Sequence, residues 1–403
     1  MPYSYLSHLR CSKSGEIHDA DQPWQLSRAG APLLASYDLD ALKRAWHPAA
    51  LSGRPASLWR YHELLPVRDP AHVVTLGEGL TPLLRLPTLG KQVGIPDLWM
   101  KDESVIPTGS FKARGAAVGI SRARELGVTH FAMPTNGNAG AAWALYGARA
   151  GLRSTIVMPQ AAPAITRLET SLAGSRLYLV DGLISDAGRQ VMQAVAEHAL
   201  FDASTLKEPY RIEGKKTMGL EIAEQLGWTL PDVIIYPTGG GVGLIGIYKG
   251  LRELQELGWV KGALPRLVAV QASGCAPIVQ AWQQRAAESS FWPDSRTLAF
   301  GINVPKALGD FLVLDALYRT ESCAIAVDDK AIQSESRLLA SREGSFVCPE
   351  GAAAFAAARQ LREAGWIREQ EQVVVLNTGA GIMYPDAITV LPQRLQRDGR
   401  IPA

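Results

Sequence analysis

The chain has 403 residues, enough for two or three lobes around a large shared core, and 47% of them are hydrophobic, which excludes a disordered polypeptide. Its 41 basic and 39 acidic residues leave a formal net charge of +2, so neither nucleic acid nor a membrane is expected as partner. The four cysteines, Cys11, Cys275, Cys323 and Cys348, lack close spacing and read as reduced thiols; with no signal-peptide core near the start and no bilayer-length apolar run, a cytoplasmic location is expected.

Residues 1–72 hold Trp24, Trp46, Trp59 and several prolines with little regular period, and read as an arm or small capping lobe. Beyond them, short apolar runs rich in β-branched residues alternate with alanine-rich stretches whose apolar residues recur at three and four. A strand over 98–101 is followed by a helix over 111–127, a strand over 130–134 and a helix over 138–151. Strands over 154–159 and 176–180 and a helix over 185–199 come next. A strand over 232–237, a helix over 242–258 and strands over 266–271 and 372–377 complete the series. Strand, helix, strand in repetition predicts an α/β protein with mainly parallel sheets.

Four junctions between these elements carry polar, glycine-bearing loops: PTGS, PTNGNAG, PTGGGVG and NTGAG. Each alone could be a tight turn; four together favour a site, because ligands of open parallel sheets bind at the carboxyl ends of strands. In TGGGVG, Gly239, Gly240 and Gly241 let main-chain N–H groups converge, and the helix starting near Val242 and Gly243 adds a field that favours an anion. The run lacks the Gly-Lys-Ser/Thr of a P-loop and the spacing of a dinucleotide fingerprint.

Lys112 follows PTGSF at the start of a helical run. Solvated, it would be a spectator. Buried against apolar walls, its amine could form a Schiff base with an aldehyde. A phosphate cradle, a candidate reactive lysine and no nicotinamide motif together point to pyridoxal phosphate. The loop from Thr135 to Gly140 offers neutral donors, and Thr378 stands where a hydroxyl could meet the ring nitrogen. Such a partner favours elimination and replacement over transamination.

These segments, with TLGEGLTPLLRL (75–86), KDESVIPTGSFKARGA (101–116) and LNTGAGIMYP (376–385), resemble the fold-type-II pyridoxal-phosphate enzymes, and among them the threonine synthases. The resemblance covers roughly 73–390. It implies a two-lobed catalytic unit over 73–395, with a smaller lobe over roughly 116–205. It implies that Lys112 holds the cofactor, Asn138 bonds its phenolic oxygen, Gly239 to Gly243 bind its phosphate and Thr378 faces its ring nitrogen. Thr135, Asn136 and Ala139 would receive the substrate carboxylate. The expected partner is a small amino acid, with a homodimer left open.

The resemblance also implies that the arm descends from a zinc ribbon. Cys11 remains, but Ser14, Ser27 and Ala29 stand where further ligands would be, so no metal is expected. A threonine synthase acting on O-phosphohomoserine needs a second anion site. Arg211 and Lys216, with Lys207, Lys215 and Ser185, are the candidates, matching a Pro-x-Arg-x-Glu-Gly-x-Lys-Thr run. Thr205, Leu206 and Glu208 depart from the pattern, and the alternative for this basic run is a solvated helix start. A serine/threonine ammonia-lyase or a β-replacement enzyme stays open as the other function.

Overall fold

The computed structural model describes residues 2–388 together with Arg397 and Ile401; Met1 of the expected arm and residues 389–395 of the expected catalytic unit lie outside the described residues. The larger sheet runs Ala324–Val327, Arg266–Ala272, Val233–Pro237, Val373–Asn377, Leu98–Asp102, Leu83–Arg85. Neighbours are parallel except the last pair. Val233–Pro237 and Val373–Asn377 are buried at every position, as parallel strands covered by helices on both faces require. The two-residue period sends Ile234, Val374 and Leu376 into one core, and Val233, Ile235, Val373 and Val375 into another, closed by the alanine-rich helix Pro349–Glu363.

A second, wholly parallel sheet runs Arg176–Val180, Arg153–Pro159, His130–Pro134, Phe201–Asp202, and carries the helices Asn138–Ala150, Ala164–Leu172 and Ile184–His198 in its connections. The protein is α/β with mainly parallel sheets. Each strand and helix expected from the sequence is present, its ends displaced by at most two residues. No helix among the described residues is long and apolar enough to cross a membrane.

The arm is more regular than its sequence predicts. Ile17–His18, Leu6–Cys11 and Leu33–Tyr37 form an antiparallel sheet, followed by the helix Leu39–Ala45. Its strands are short and partly exposed, which blurs the apolar alternation. Leu9, Leu33, Ala35, Leu42 and Trp46 nevertheless join the main core. The Cys11 thiol donates to Ser27 Oγ at 3.1 Å and accepts from the Ser14 N–H at 3.3 Å. Polar contacts thus tie together Cys11, Ser14 and Ser27, three of the four positions where the ribbon pattern would have cysteines.

The helix Lys112–Glu125 packs hard against Arg211–Gln225: a Cβ on Gly214 would lie 2.0 Å from the Arg114 carbonyl oxygen. Between them runs a fully buried ionic cluster. Arg114 donates to Glu103 at 2.6 and 2.8 Å, to both oxygens of Glu221, and to Thr217 Oγ1 at 2.9 Å. Lys101 donates to Glu221 at 2.7 Å and to Gln225 at 2.8 Å. Burial pushes the Glu221 carboxyl up, but Arg114 and Lys101 outweigh it and hold the group at about 2. Because that value is depressed, the ionised pair stabilises the fold above the ordinary carboxylate range, and the contribution is lost as pH falls towards about 2.

Removing one partner of a buried ion pair leaves its charge stranded, at a cost of about 3–5 kcal/mol. Arg114→Ala should therefore lower the unfolding free energy by about that amount in chemical denaturation. A midpoint and slope equal to those of the wild type would contradict the assignment.

Candidate active site

Four strand ends meet at one cavity of about 440 Å³, within the range of ordinary ligand pockets. Leu98–Asp102 leads through a turn to Lys112, His130–Pro134 leads to 135–139, Val233–Pro237 to 239–243, and Val373–Asn377 to Thr378. All of these destinations line the cavity. They stand at carboxyl ends of parallel strands, where ligands of such sheets bind.

Lys112 is half-buried at the first position of its helix, its amine 3.9 Å from the Phe111 ring centroid. Burial lowers the amine to about 8; Arg211 helps to lower it, while Glu350 and Cys348 oppose the shift. The glycine run ends at Gly241, the N-cap of the helix Val242–Glu256, with φ at +75°. A Cβ there would lie 2.2 Å from Val313 Cγ2, so conformation and space both demand glycine. The turn leaves the first N–H groups of the helix, which have no partners within it, at the cavity wall.

On the other side, Asn138 opens the helix Asn138–Ala150 and donates through Nδ2 to Tyr384 Oη at 2.7 Å. Thr135 Oγ1 accepts the N–H groups of Gly137 and Gly140 at 3.0 and 3.1 Å, so it shapes the loop that carries Asn136 and Ala139. Asn136 Nδ2 reaches Asn303 O at 3.2 Å, from the smaller sheet's loop to the larger lobe. Thr378 Oγ1 lies 3.6 Å from Cys348 Sγ, and its carbonyl accepts the Phe111 N–H at 3.0 Å beside Lys112. Among the described residues, Asn138 Oδ1 and Tyr236 Oη are buried without a hydrogen-bond partner in a cavity they both line. An amine of lowered pKa, a cradle of N–H groups and orphaned polar atoms fit a cofactor with an aldehyde, a phosphate and ring heteroatoms.

The basic run is not a solvated helix start. Arg211, Lys215 and Lys216 are all buried. Arg211 lines the cavity, its guanidinium donating to Glu208, Thr205 Oγ1 and the Ala203 carbonyl and lying 4.8 Å from the Trp143 ring centroid. Lys215 and Ser185 also line it. Lys216, expected among the substrate contacts, does not. Its amine lies 2.6 Å from Glu213 and 2.8 Å from Glu253, over the Tyr37 ring of the arm. A one-residue step along a helix turns the side chain by about 100°, which points Lys216 away while Lys215 points in. Lys207 is likewise bound elsewhere, to Asp202 at 2.8 Å.

Several cavity residues escaped the sequence reading. Tyr384 lies in the LNTGAGIMYP segment but was not singled out. Cys348 and Glu350 come from the start of the helix Pro349–Glu363, where Cys348 accepts the Gly351 N–H and Glu350 accepts the Gly301 N–H at 2.6 Å. Their one local signal is Cys-Pro-Glu at a helix start, a capping pattern without chemistry of its own.

The fold and the site define a fold-type-II pyridoxal-phosphate enzyme, and a family model described as pyridoxal-phosphate dependent enzyme matches residues 74–379. Maize serine racemase shares the fold, with a TM-score of 0.65 and 23% identity over 75% of this chain and 88% of that one. The threonine synthase of Methanocaldococcus jannaschii is 36% identical over 379 residues, 94% of this chain and 93% of that protein. The Methanosarcina acetivorans threonine synthase is 34% identical over 386 residues, 95% of this chain and 94% of that protein. The chain belongs to the threonine synthase family of pyridoxal-phosphate-dependent enzymes.

A lysine of depressed pKa is reactive only as its neutral amine, whose fraction rises with pH up to about 8 and then saturates. Cofactor-free protein should therefore capture pyridoxal phosphate roughly tenfold faster per pH unit below that value and level off above it. Absorbance spectroscopy reads the capture. A rate without pH dependence there, or undiminished capture by Lys112→Ala, would contradict the role of this amine.

Proposed function

We propose that the chain is a threonine synthase, converting O-phosphohomoserine and water to threonine and phosphate. One observation carries the reading: Arg211, Lys215 and Ser185 line the same cavity as Lys112 and the 239–243 run. The glycine run serves a cofactor bearing one phosphate, so the further cations suit a substrate bearing another. When bound, pyridoxal phosphate supplies the electron sink for chemistry next to the amino group.

The chain's residues bind, orient and move protons. Gly239, Gly240, Gly241, Val242 and Gly243 hold the cofactor phosphate through main-chain N–H groups. Asn138 bonds the ring oxygen. Thr378 offers the ring nitrogen a hydroxyl, which does not hold a proton there as a carboxylate would. Thr135, Asn136 and Ala139 receive the substrate carboxylate, and Arg211 the distal phosphate. Lys112 moves protons at the α and β carbons of the substrate, and an amine titrating at about 8 can accept and return them near neutral pH. The same reading takes the cytoplasm as location, in keeping with four free, buried cysteines.

A serine/threonine ammonia-lyase is the second reading. It is favoured by the Arg211 guanidinium being already engaged by Glu208, Thr205 and Ala203, an arrangement that needs no second phosphate.

Wild-type enzyme given O-phosphohomoserine should release inorganic phosphate and threonine in equal amounts. Arg211→Ala should lower kcat/KM for that substrate by about 10- to 100-fold, the worth of one charge-assisted contact, and leave any serine deamination nearly unchanged. Brisk deamination of serine or threonine without phosphate release would replace the synthase reading with the lyase.

A further inference from the structure

Lys215 differs from the other buried cations. It is 3% exposed and lines the cavity. Its stem is gripped between two helices. A Cβ on Gly115 would sit 3.0 Å from its Cε, and one on Gly246 would sit 2.8 Å from its Cβ, so the side chain has little room to swing elsewhere. The amine donates to the carbonyl of Phe111, next to Lys112, and lies 4.0 Å from the Phe111 ring centroid.

Its buried neighbours on the same helix and the facing one have carboxylates: Lys216 has Glu213 and Glu253, Arg114 has Glu103 and Glu221, and Arg211 has Glu208. Among the described residues, Lys215 has no carboxylate within ion-pair distance and a single hydrogen-bond acceptor for its three N–H groups. The charged groups that face it are Lys112 and Arg114 from the helix Lys112–Glu125, Arg211 from its own helix, and Glu103, which is bound to Arg114. Burial first, and Lys112 next, push the amine well below the ordinary lysine range. An ammonium buried beside other cations is costly until an anion joins it.

We propose that Lys215 is a phosphate-binding residue of this pocket, its ammonium acquiring a counter-ion when a phosphate group enters beside Lys112. Two phosphates have the required chemistry: that of the cofactor and that of the substrate. The substrate source rests on the synthase reading; the cofactor source does not.

Holoenzyme of the wild type, Lys215→Gln and Lys215→Met tests this, with inorganic phosphate as the probe of the substrate's group and cofactor absorbance as the readout. If the residue serves the substrate, the variants bind phosphate about 10- to 100-fold more weakly and retain cofactor normally. If it serves the cofactor, their dissociation constant for pyridoxal phosphate rises by that factor while the one for pyridoxal, which lacks the phosphate, stays put. Either result supports the proposal.

Calorimetry on wild-type holoenzyme, in pairs of buffers of different ionisation enthalpy from neutral to alkaline pH, adds a measurement that needs no variant. Phosphate binding should take up protons over part of that range, because the anion raises the lowered pKa of the amine. Variants that bind both phosphates as the wild type does overturn the proposal. Should the variants fail to fold, binding without proton uptake overturns it. A wild type that releases no phosphate from O-phosphohomoserine sinks the synthase reading alone, since the two dissociation constants still judge Lys215.

Discussion

Arg114 lies two residues beyond Lys112, and its guanidinium is enclosed by Glu103, Thr217 and Glu221 with no exposed surface. Glu221 sits on the same helix as Arg211 and Lys215, and Lys101, its other partner, is on the strand that leads to Lys112. One set of bonds thereby fixes the helix that opens with Lys112, the helix that carries Arg211 and Lys215, and the strand Leu98–Asp102. Desolvating four charges is expensive, and the cluster is balanced by two cations against two carboxylates, with Thr81 and Gln225 accepting further hydrogens from the cations. Its value lies in geometry: the helices can satisfy these donors in one register, which holds the Lys112 and Lys215 amines 3.9 and 4.0 Å from the Phe111 ring centroid.

That constraint explains the electrostatics of the cavity. Lys112, Arg211 and Lys215 bring three basic side chains to the cavity. Glu208 pairs with Arg211, and burial pushes its carboxyl up, so it answers part of the charge. Glu350, near Lys112, opposes the lowering of that amine. The remainder is a site short of negative charge, which suits ligands that carry phosphate and carboxylate groups. Asn136 and Asn138, from the smaller sheet's loop, donate across the cavity to Asn303 O and Tyr384 Oη and tie the two sides together.

Much of this was legible in the sequence because the parallel strands are covered on both faces and read as unbroken β-branched runs such as VIIYP and VVVLN. The loops after them were legible because glycine is forced where backbone must turn sharply, as at Gly241. The arm was not, since its strands are short and half exposed. The segment RIEGKKT was hard for a different reason: its charges look solvated, but each is buried with a partner from another element, and sequence alone does not show which neighbour on a helix faces inward. Lys215 and Lys216 are adjacent letters with opposite surroundings. Cys348, Glu350 and Tyr384 reach the site from segments more than 200 residues beyond Lys112, and neither the Cys-Pro-Glu helix start nor the tyrosine after LNTGAGIM carries a chemistry of its own.

The central claim is that Lys112, rather than the neighbouring buried Lys215, carries the cofactor. Reduction of the purified enzyme with borohydride followed by peptide mass spectrometry tests it directly. The account predicts a single pyridoxyl group on the peptide containing Lys112. The same group on Lys215, or on any other lysine with Lys112 unmodified, would contradict it.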